Sequence, residues 1–309
     1  MNRWFGLIMA LLCSVTLSLL WRSDIGEGQA LLIEMIRAPR VVTALLVGMA
    51  LAVSGTLLQA YTRNDLADPG LLGINAGASL AVVLMLALVP EALGLYWAPS
   101  LAAFAGAAAI ALLTRKLATR DGRTDPITLV LTGVALSLGA SALTLFAAQL
   151  SDAELYNQAA EWLAGSLAGA HWQQVGILLP VLPLCLLVWF LASAINLLQL
   201  SEEASIGLGL PLQRFRLGLL LLATALAALA VSVAGAIAFV GLLIPHLARM
   251  LFGANLVRQL PAAMLMGGTT LVLADFLART LLFPLEVPVG LLLILFGAPY
   301  FIVILLRRA

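Results

Sequence analysis

Stretches such as Leu217–Ala230 carry no charge and almost no polar atom, and they recur along the whole chain. A helix crossing a bilayer needs about 20 apolar residues. Spanning barrel strands alternate polar and apolar residues instead, and these runs do not alternate. Composition agrees: 63% of the 309 residues are hydrophobic and 10% are charged, against about 45–50% and about 25% in a soluble domain. This excludes a soluble globular protein, a disordered chain and a nucleic-acid binder. The expected fold is an all-α integral membrane protein, one transmembrane domain over residues 1–309. At about 30 residues per span and loop it holds about ten transmembrane helices.

The expected spans are 4–21, 41–61, 70–90, 96–117, 126–149, 172–192, 213–232, 235–252, 260–282 and 289–306, with a short hinge at Val233–Gly235. Arg3 and the apolar stretch after it imitate a signal peptide. No small-x-small cleavage pattern follows, so the segment reads as an uncleaved first span. Cys13 and Cys185 both fall in apolar runs and read as buried thiols rather than a disulfide framework or, with His171 and His246, a metal site.

Basic residues orient the spans, because arginine and lysine collect on the cytoplasmic side. With the N-terminus inside, Arg3, Arg63, Arg115, Lys116, Arg120, Arg123, Arg214, Arg216, Arg249, Arg258, Arg307 and Arg308 are cytoplasmic. Arg22, Arg37 and Arg40 are outside, and Arg279 lies near the outer end of span nine. The loop carrying Asp152, Glu154 and Glu161 has no basic residue and reads as external. Both termini are then cytoplasmic. Asp68-Pro69 and Pro126 have the chemistry of helix starts. Gly48, Gly55, Gly73, Gly77, Gly106 and Gly133 suit close helix packing.

The chemistry the chain lacks is informative. A phosphate-binding loop needs a lysine after a glycine-rich run. Lys116, the single lysine, follows Thr114-Arg115 instead. No Walker-type ATPase is expected here, and no nucleophile and base stand together, so the chain is not expected to be an enzyme. An ion-driven carrier keeps ionisable groups within its spans. The clear candidates are Asp275 and Arg279, one helical turn apart and expected to pair; a proton relay is the alternative. Ser137, Ser141 and Thr144 form a hydroxyl stripe on one helix face. The stripe either lines an uncharged translocation pathway or bonds back to its own helix.

Four stretches are too particular for generic membrane helix. The first is Arg37-Ala-Pro-Arg40 leading to Gly48-Met-Ala-Leu-Ala-Val-Ser-Gly55 and Gln59. The second is Arg63-Asn-Asp-Leu-Ala-Asp-Pro69 with Leu72-Gly73-Ile74-Asn75-Ala76-Gly77-Ala78. The third is Gly235-Ala-Ile-Ala-Phe-Val-Gly241-Leu-Leu-Ile-Pro-His-Leu-Ala-Arg249, followed by Arg258-Gln-Leu-Pro261. The last joins Ala274-Asp-Phe-Leu-Ala-Arg279, Glu286-Val-Pro-Val-Gly290 and Phe296-Gly-Ala-Pro299. Together they resemble the FecCD family of ABC importer permeases, which carry iron–siderophore complexes, haem or vitamin B12 across the bacterial inner membrane. The resemblance runs from about Arg37 to Arg307 and is close to the ferric citrate permease subunits. One departure stands at Asp65, where the family usually has proline.

The resemblance implies a vitamin B12 permease-like fold with ten helices, paired with a second permease, identical or homologous. It implies a separate cytoplasmic ATPase dimer, which binds the ATP and magnesium; no cofactor is expected in this chain. The coupling loop would be about residues 200–212, with Glu202, Glu203, Gly207, Gly209 and Pro211. A periplasmic binding protein would deliver an iron chelate, its acidic residues meeting Arg37, Arg40 and Arg279. Arginines kept on the outer face suit steering of an acidic partner. Haem, vitamin B12 and an ion-coupled secondary carrier remain alternatives. Leu51-Ala-Val-Ser-Gly55 also echoes Val231-Ser-Val-Ala-Gly235, which suggests an inverted repeat.

Overall fold

The computed structural model describes residues 2–20, 33–89, 95, 97–120, 123–149, 160, 162–283 and 285–308. Arg22, Asp152, Glu154 and Glu161, on which the orientation argument drew, lie outside the described residues. Helix α1 is Asn2–Leu20, α2 Ala38–Thr62, α3 Ile74–Leu88, α4 Ala98–Ala118 and α5 Pro126–Gln149. Three shorter pieces follow: α6 Trp172–Leu178, α7 Val181–Phe190 and α8 Ala192–Asn196. Then come α9 Glu202–Gly207, α10 Leu212–Ala234, α11 Val240–Phe252, α12 Leu256–Thr280 and α13 Val289–Arg308. A two-residue hairpin, Thr119–Arg120 with Arg123–Thr124, joins α4 to α5. Among the described residues seven helices are long and apolar enough to cross a membrane, taking α6 and α7 as one. The shorter α3, α11 and α13 accompany them, which matches the ten expected spans.

Helix α2 is the centre of the bundle. Its span is 83% buried inside the chain, against 11% for α1. Small residues make that enclosure possible. A Cβ on Gly48 would stand 2.2 Å from the Gly267 carbonyl oxygen of α12, and one on Gly55 only 1.8 Å from that of Gly241 in α11. The Ser54 hydroxyl donates to the Ala223 carbonyl of α10 at 2.6 Å. Gly77 and Gly106 bring α3 and α4 together in the same way. Without water to drive helices together, such close backbone contact is the main source of association. Helix α1 packs against α12 from the edge, burying Ser14 and Ser18. Cys13, expected to be buried, lies on its exposed face; Cys185 is buried as expected, and both are free thiols.

Two breaks position the rest. The first follows α2, where Arg63 adopts a left-handed φ of 52°. The Asp68 carboxylate accepts from Gly70 N and Pro69 opens a single tight turn, Pro69–Leu72, before α3 begins at Ile74. The expected start signal at Asp68-Pro69 therefore caps that turn, four residues ahead of the span itself. The second break is wider than the expected hinge. Helix α10 ends at Ala234 and α11 starts only at Val240, with Gly235 at φ 68° and Phe239 at φ 69°. Backbone bonds knit this break to other chain segments: Ser166 N to Ala234 O, Ala236 N to Trp162 O and Gly290 N to Gly165 O. The region of the sixth expected span is also divided, with a turn at residues 179–180 where Pro180 falls. The sequence echo between Gly55 and Gly235 has no structural counterpart, because Gly55 sits mid-helix and Gly235 in the break.

Burial pushes the Asp68 carboxyl up to about 6, against the lowering effect of the Gly70 amide. The folded chain thus binds this proton more readily than the unfolded chain. Stability is expected to rise as pH falls through about 6 and to level off below the ordinary 3.8. Asp68→Asn keeps the acceptor for Gly70 without the charge, and should flatten that dependence. Thermal unfolding in mild detergent from about pH 8 to about pH 5 measures it; equal slopes in wild type and variant would reject the assignment.

Candidate functional site

Hydrogen bonds sort the loops into two ends. At one end Arg3 donates to Leu251 O, Arg63 to Leu198 O and Leu200 O, and Trp189 to Val257 O. Arg249 pairs with Asp65 there, and Arg216 with Glu202. At the other end Arg279 donates to Ser18, Arg37 to Leu19 O and Trp172 to Glu34 O. These groupings bring Arg3, Arg63, Arg216 and Arg249, four of the arginines expected inside, to one end and Arg37 and Arg279 to the other, where Arg40 joins them through Asp275.

The three outer arginines sit at one corner but in different states. Arg40 is only 5% exposed. Its Nε donates to Asp275 Oδ1 at 2.8 Å and its Nη1 to Glu286 Oε2 at 2.9 Å. Arg279 Nε lies 3.3 Å from Asp275 Oδ2, close enough for charge attraction but out of hydrogen-bond alignment. Its Nη2 donates to the Ser18 hydroxyl at 2.6 Å. The expected Asp275–Arg279 pair is thus one edge of a four-residue network that ties α2, α12 and the 285–288 segment together. Arg37 is half-buried, donates to Leu19 O, and pairs with no carboxylate among the described residues. In the sequence Glu286 stands within the motif Glu286-Val-Pro-Val-Gly290. Nothing local could have paired it with Arg40, 246 residues away.

At the basic end the segment Leu200–Leu212 is anchored to the bundle through buried Ser205 and Leu212, with most of its other residues exposed. The Ser201 hydroxyl caps α9 by accepting from Ala204 N at 3.2 Å, and Ser205 anchors the helix to Leu197 O at 2.8 Å. Glu202 binds Arg216 Nη1 at 2.7 Å, tying α9 to α10. Glu203, Gly207, Gly209 and Pro211 are exposed. So are Ile206 and Leu208, at 57% and 62%. Gly209 turns the chain at φ 86°, and a Cβ on Gly207 would meet nothing within 4 Å. Close by, Asp65 holds Arg249 across the end of α11.

The hydroxyl stripe of α5 lies on its packed side. Thr144 is fully buried and donates to Ala140 O at 2.8 Å, and Ser137 donates to Gly133 O at 2.8 Å. Gly133, on the same face, lies against the Leu71 carbonyl; Ser141 is half-buried. Of the two readings of the stripe, this geometry favours bonding back to its own helix. The opposite face of α5 exposes Leu131, Leu138 and Phe146. A cavity of about 170 Å³ opens at the end opposite the basic one, between Trp162, Ser166, Gln174 and Gly235, beside the break after α10. Among the described residues no group of three or more His, Cys, Asp or Glu is placed to hold a metal.

Comparison with known proteins follows from this architecture. The family model of the FecCD transport family matches residues 4–307. The iron(3+)-hydroxamate import system permease protein FhuG of Bacillus subtilis is 40% identical over 91% of this chain and 86% of its own. The Fe(3+) dicitrate transport system permease protein FecC of Escherichia coli is 41% identical over 90% of this chain and 83% of its own. A solved ABC transporter described as of metal-chelate type, in an inward-facing conformation, superposes with a TM-score of 0.86 at 34% identity. That match covers 98% of each chain. The chain belongs to the FecCD transport family, as a membrane permease subunit and not an enzyme.

Proposed function

We propose that this chain is the permease of a binding-protein-dependent importer that moves a ferric siderophore or similar iron chelate, such as ferric citrate, across the bacterial inner membrane. Residues 1–309 act as one transmembrane domain with both termini cytoplasmic. A second permease, identical or homologous, completes the pathway. A separate cytoplasmic ATPase dimer binds ATP and magnesium, and this chain holds no cofactor. The relatives named for iron chelates support the substrate class.

The observation that carries the coupling role is α9. It is a short capped helix at the basic end, held by Glu202 to α10 and presenting Ile206 and Leu208 to the outside. Apolar side chains on a loop beyond the membrane need a protein partner to cover them. At the opposite end we assign docking of an acidic binding protein to the corner of Arg37, Arg40 and Arg279; Arg40 is buried and, like Arg279, engages Asp275, so Arg37 is the one whose charge is still unpaired among the described residues. The hydroxyls of α5 are assigned to packing, which leaves the pathway to surfaces shared with the second permease.

A mild-detergent pull-down from the native membrane, followed by reconstitution in proteoliposomes, tests this reading. Expected are an ATPase and a second permease in the eluate, with ATP-dependent accumulation of radiolabelled iron chelate. Uptake driven by an ion gradient without ATPase would replace it with the secondary-carrier reading. Gly207→Trp tests α9. The site has open space, so the fold should be kept while ATPase co-purification falls by about tenfold or more, as for loss of a central interface contact. Undiminished co-purification would remove α9 from the interface.

A further inference from the structure

Behind α9 at the basic end lies a cavity in two adjoining chambers. The smaller, of about 180 Å³, is lined by Tyr61, Arg115, Thr124, Gln213, Arg214 and Arg216. The larger, of about 470 Å³, shares Tyr61, Thr124, Gln213 and Arg216 with it and adds Asp125 and Glu202. The smaller chamber offers three guanidiniums, a phenol, a hydroxyl and an amide, and no carboxylate. Of the two neighbouring acids, Asp125 is engaged outside the chamber and Glu202 pairs with Arg216, one of its three arginines. Asp125 accepts from Thr128 N at 2.7 Å and Thr128 Oγ1 at 2.6 Å, and Glu202 binds Arg216 Nη1 at 2.7 Å. Arg115 and Arg214 have no ion pair among the described residues, and Arg216 Nε is buried without a hydrogen-bond partner.

With Arg216 paired to Glu202, the charges of Arg115 and Arg214, brought together from two helices, repel one another unless an anion joins them. The guanidinium fork matches a phosphate oxyanion in two-pronged hydrogen bonding. The surface beside the chamber fits a phosphate that carries acyl chains. Leu112 lies one turn from Arg115 and Leu221 two turns from Arg214, and they are 47% and 43% exposed. Basic pockets between helices on the cytoplasmic side take anionic headgroups in this arrangement. We propose that the chamber lined by Tyr61, Arg115, Thr124, Arg214 and Arg216 binds a phosphate oxyanion, either the headgroup of an anionic phospholipid or free phosphate.

Native mass spectrometry of the full chain in mild detergent tests this with phosphatidylglycerol, phosphatidylcholine and inorganic phosphate as probes. If the source is lipid, phosphatidylglycerol adducts exceed phosphatidylcholine adducts and Arg115→Gln/Arg214→Gln lowers them by about tenfold or more. If the source is soluble, the two lipids bind alike and a phosphate adduct is lost in the same double variant. Lys116→Gln removes the exposed charge next to Arg115 in the sequence, outside the lining, and should change neither. Wild-type circular dichroism in the double variant shows that the loss is not misfolding, and Arg115→Lys/Arg214→Lys should restore part of the binding. Adducts that persist in the double variant, or fall as much in Lys116→Gln, overturn the proposal, and so does the absence of any adduct.

Discussion

Gly55→Leu should leave little or no monodisperse protein after extraction. The Cβ alone would stand 1.8 Å from the Gly241 carbonyl oxygen, 2.5 Å from its carbon and 2.7 Å from its Cα. All three atoms are backbone of α11, so no flexible side chain can swing away. Helix α11 is pinned on its other side, where Pro69 Cδ lies 2.6 Å from a Cβ built on Gly241. To accept the leucine, α2 and α11 would have to separate, and α2 would lose its contacts with α10 and α12 in turn. Overpacking a core costs about 1–3 kcal/mol where side chains can adjust, and this site lacks that adjustment. Size-exclusion chromatography of detergent extracts measures it, with Gly207→Leu as the matched control. Gly207 has nothing within 4 Å of its Cβ position, so its variant should elute like wild type. A Gly55→Leu protein that eluted and melted like wild type would show that α2 and α11 do not meet as described.

The glycine contact shows which parts of this fold can be read from a sequence. Apolar runs and basic flanks are local, and they were enough to place ten spans and to group the arginines by end. The family motifs mark Gly55 and Gly241, but no local pattern says that the two carbonyl backbones touch. The start of α5 was legible at Pro126, and the Asp125 carboxylate just before it holds Thr128. Helix ends were misplaced where the backbone bonds to a distant segment. The gap from Gly235 to Phe239 is one case, because Trp162 O accepts from Ala236 N and Ser166 N donates to Ala234 O just before it. The hydroxyl stripe of α5 shows the same limit. Its spacing is helical whether it lines a pathway or packs, and the burial of Thr144 is visible only in the folded chain. Arg40 was read as a surface charge because both its carboxylate partners are more than 230 residues away.

Arg40→Met should destabilise the protein by about 3–5 kcal/mol, the usual result of removing one partner from a buried ion pair. Asp275 is 1% exposed and would keep only the misaligned Arg279 guanidinium at 3.3 Å. Arg37→Met, by contrast, removes a half-buried group that donates to one carbonyl, and should cost about 1 kcal/mol or less. The double variant Arg40→Met/Asp275→Leu removes both buried charges and should recover most of the loss, because an apolar pair of similar volume often replaces a buried ion pair at little cost. The difference between the double variant and the sum of the singles gives the coupling between the two residues. Thermal melts of the three variants and Asp275→Leu complete the cycle. The same proteins separate scaffold from docking at the outer corner. If Arg40 acts mainly through Asp275 and Glu286, the double variant regains fold and transport together. Arg37→Met should then keep its stability while docking slows and loses its salt dependence, as expected for an unpaired charge at a rim. A double variant that is stable but fails to bind its delivery protein would show instead that Arg40, although buried, meets the partner directly.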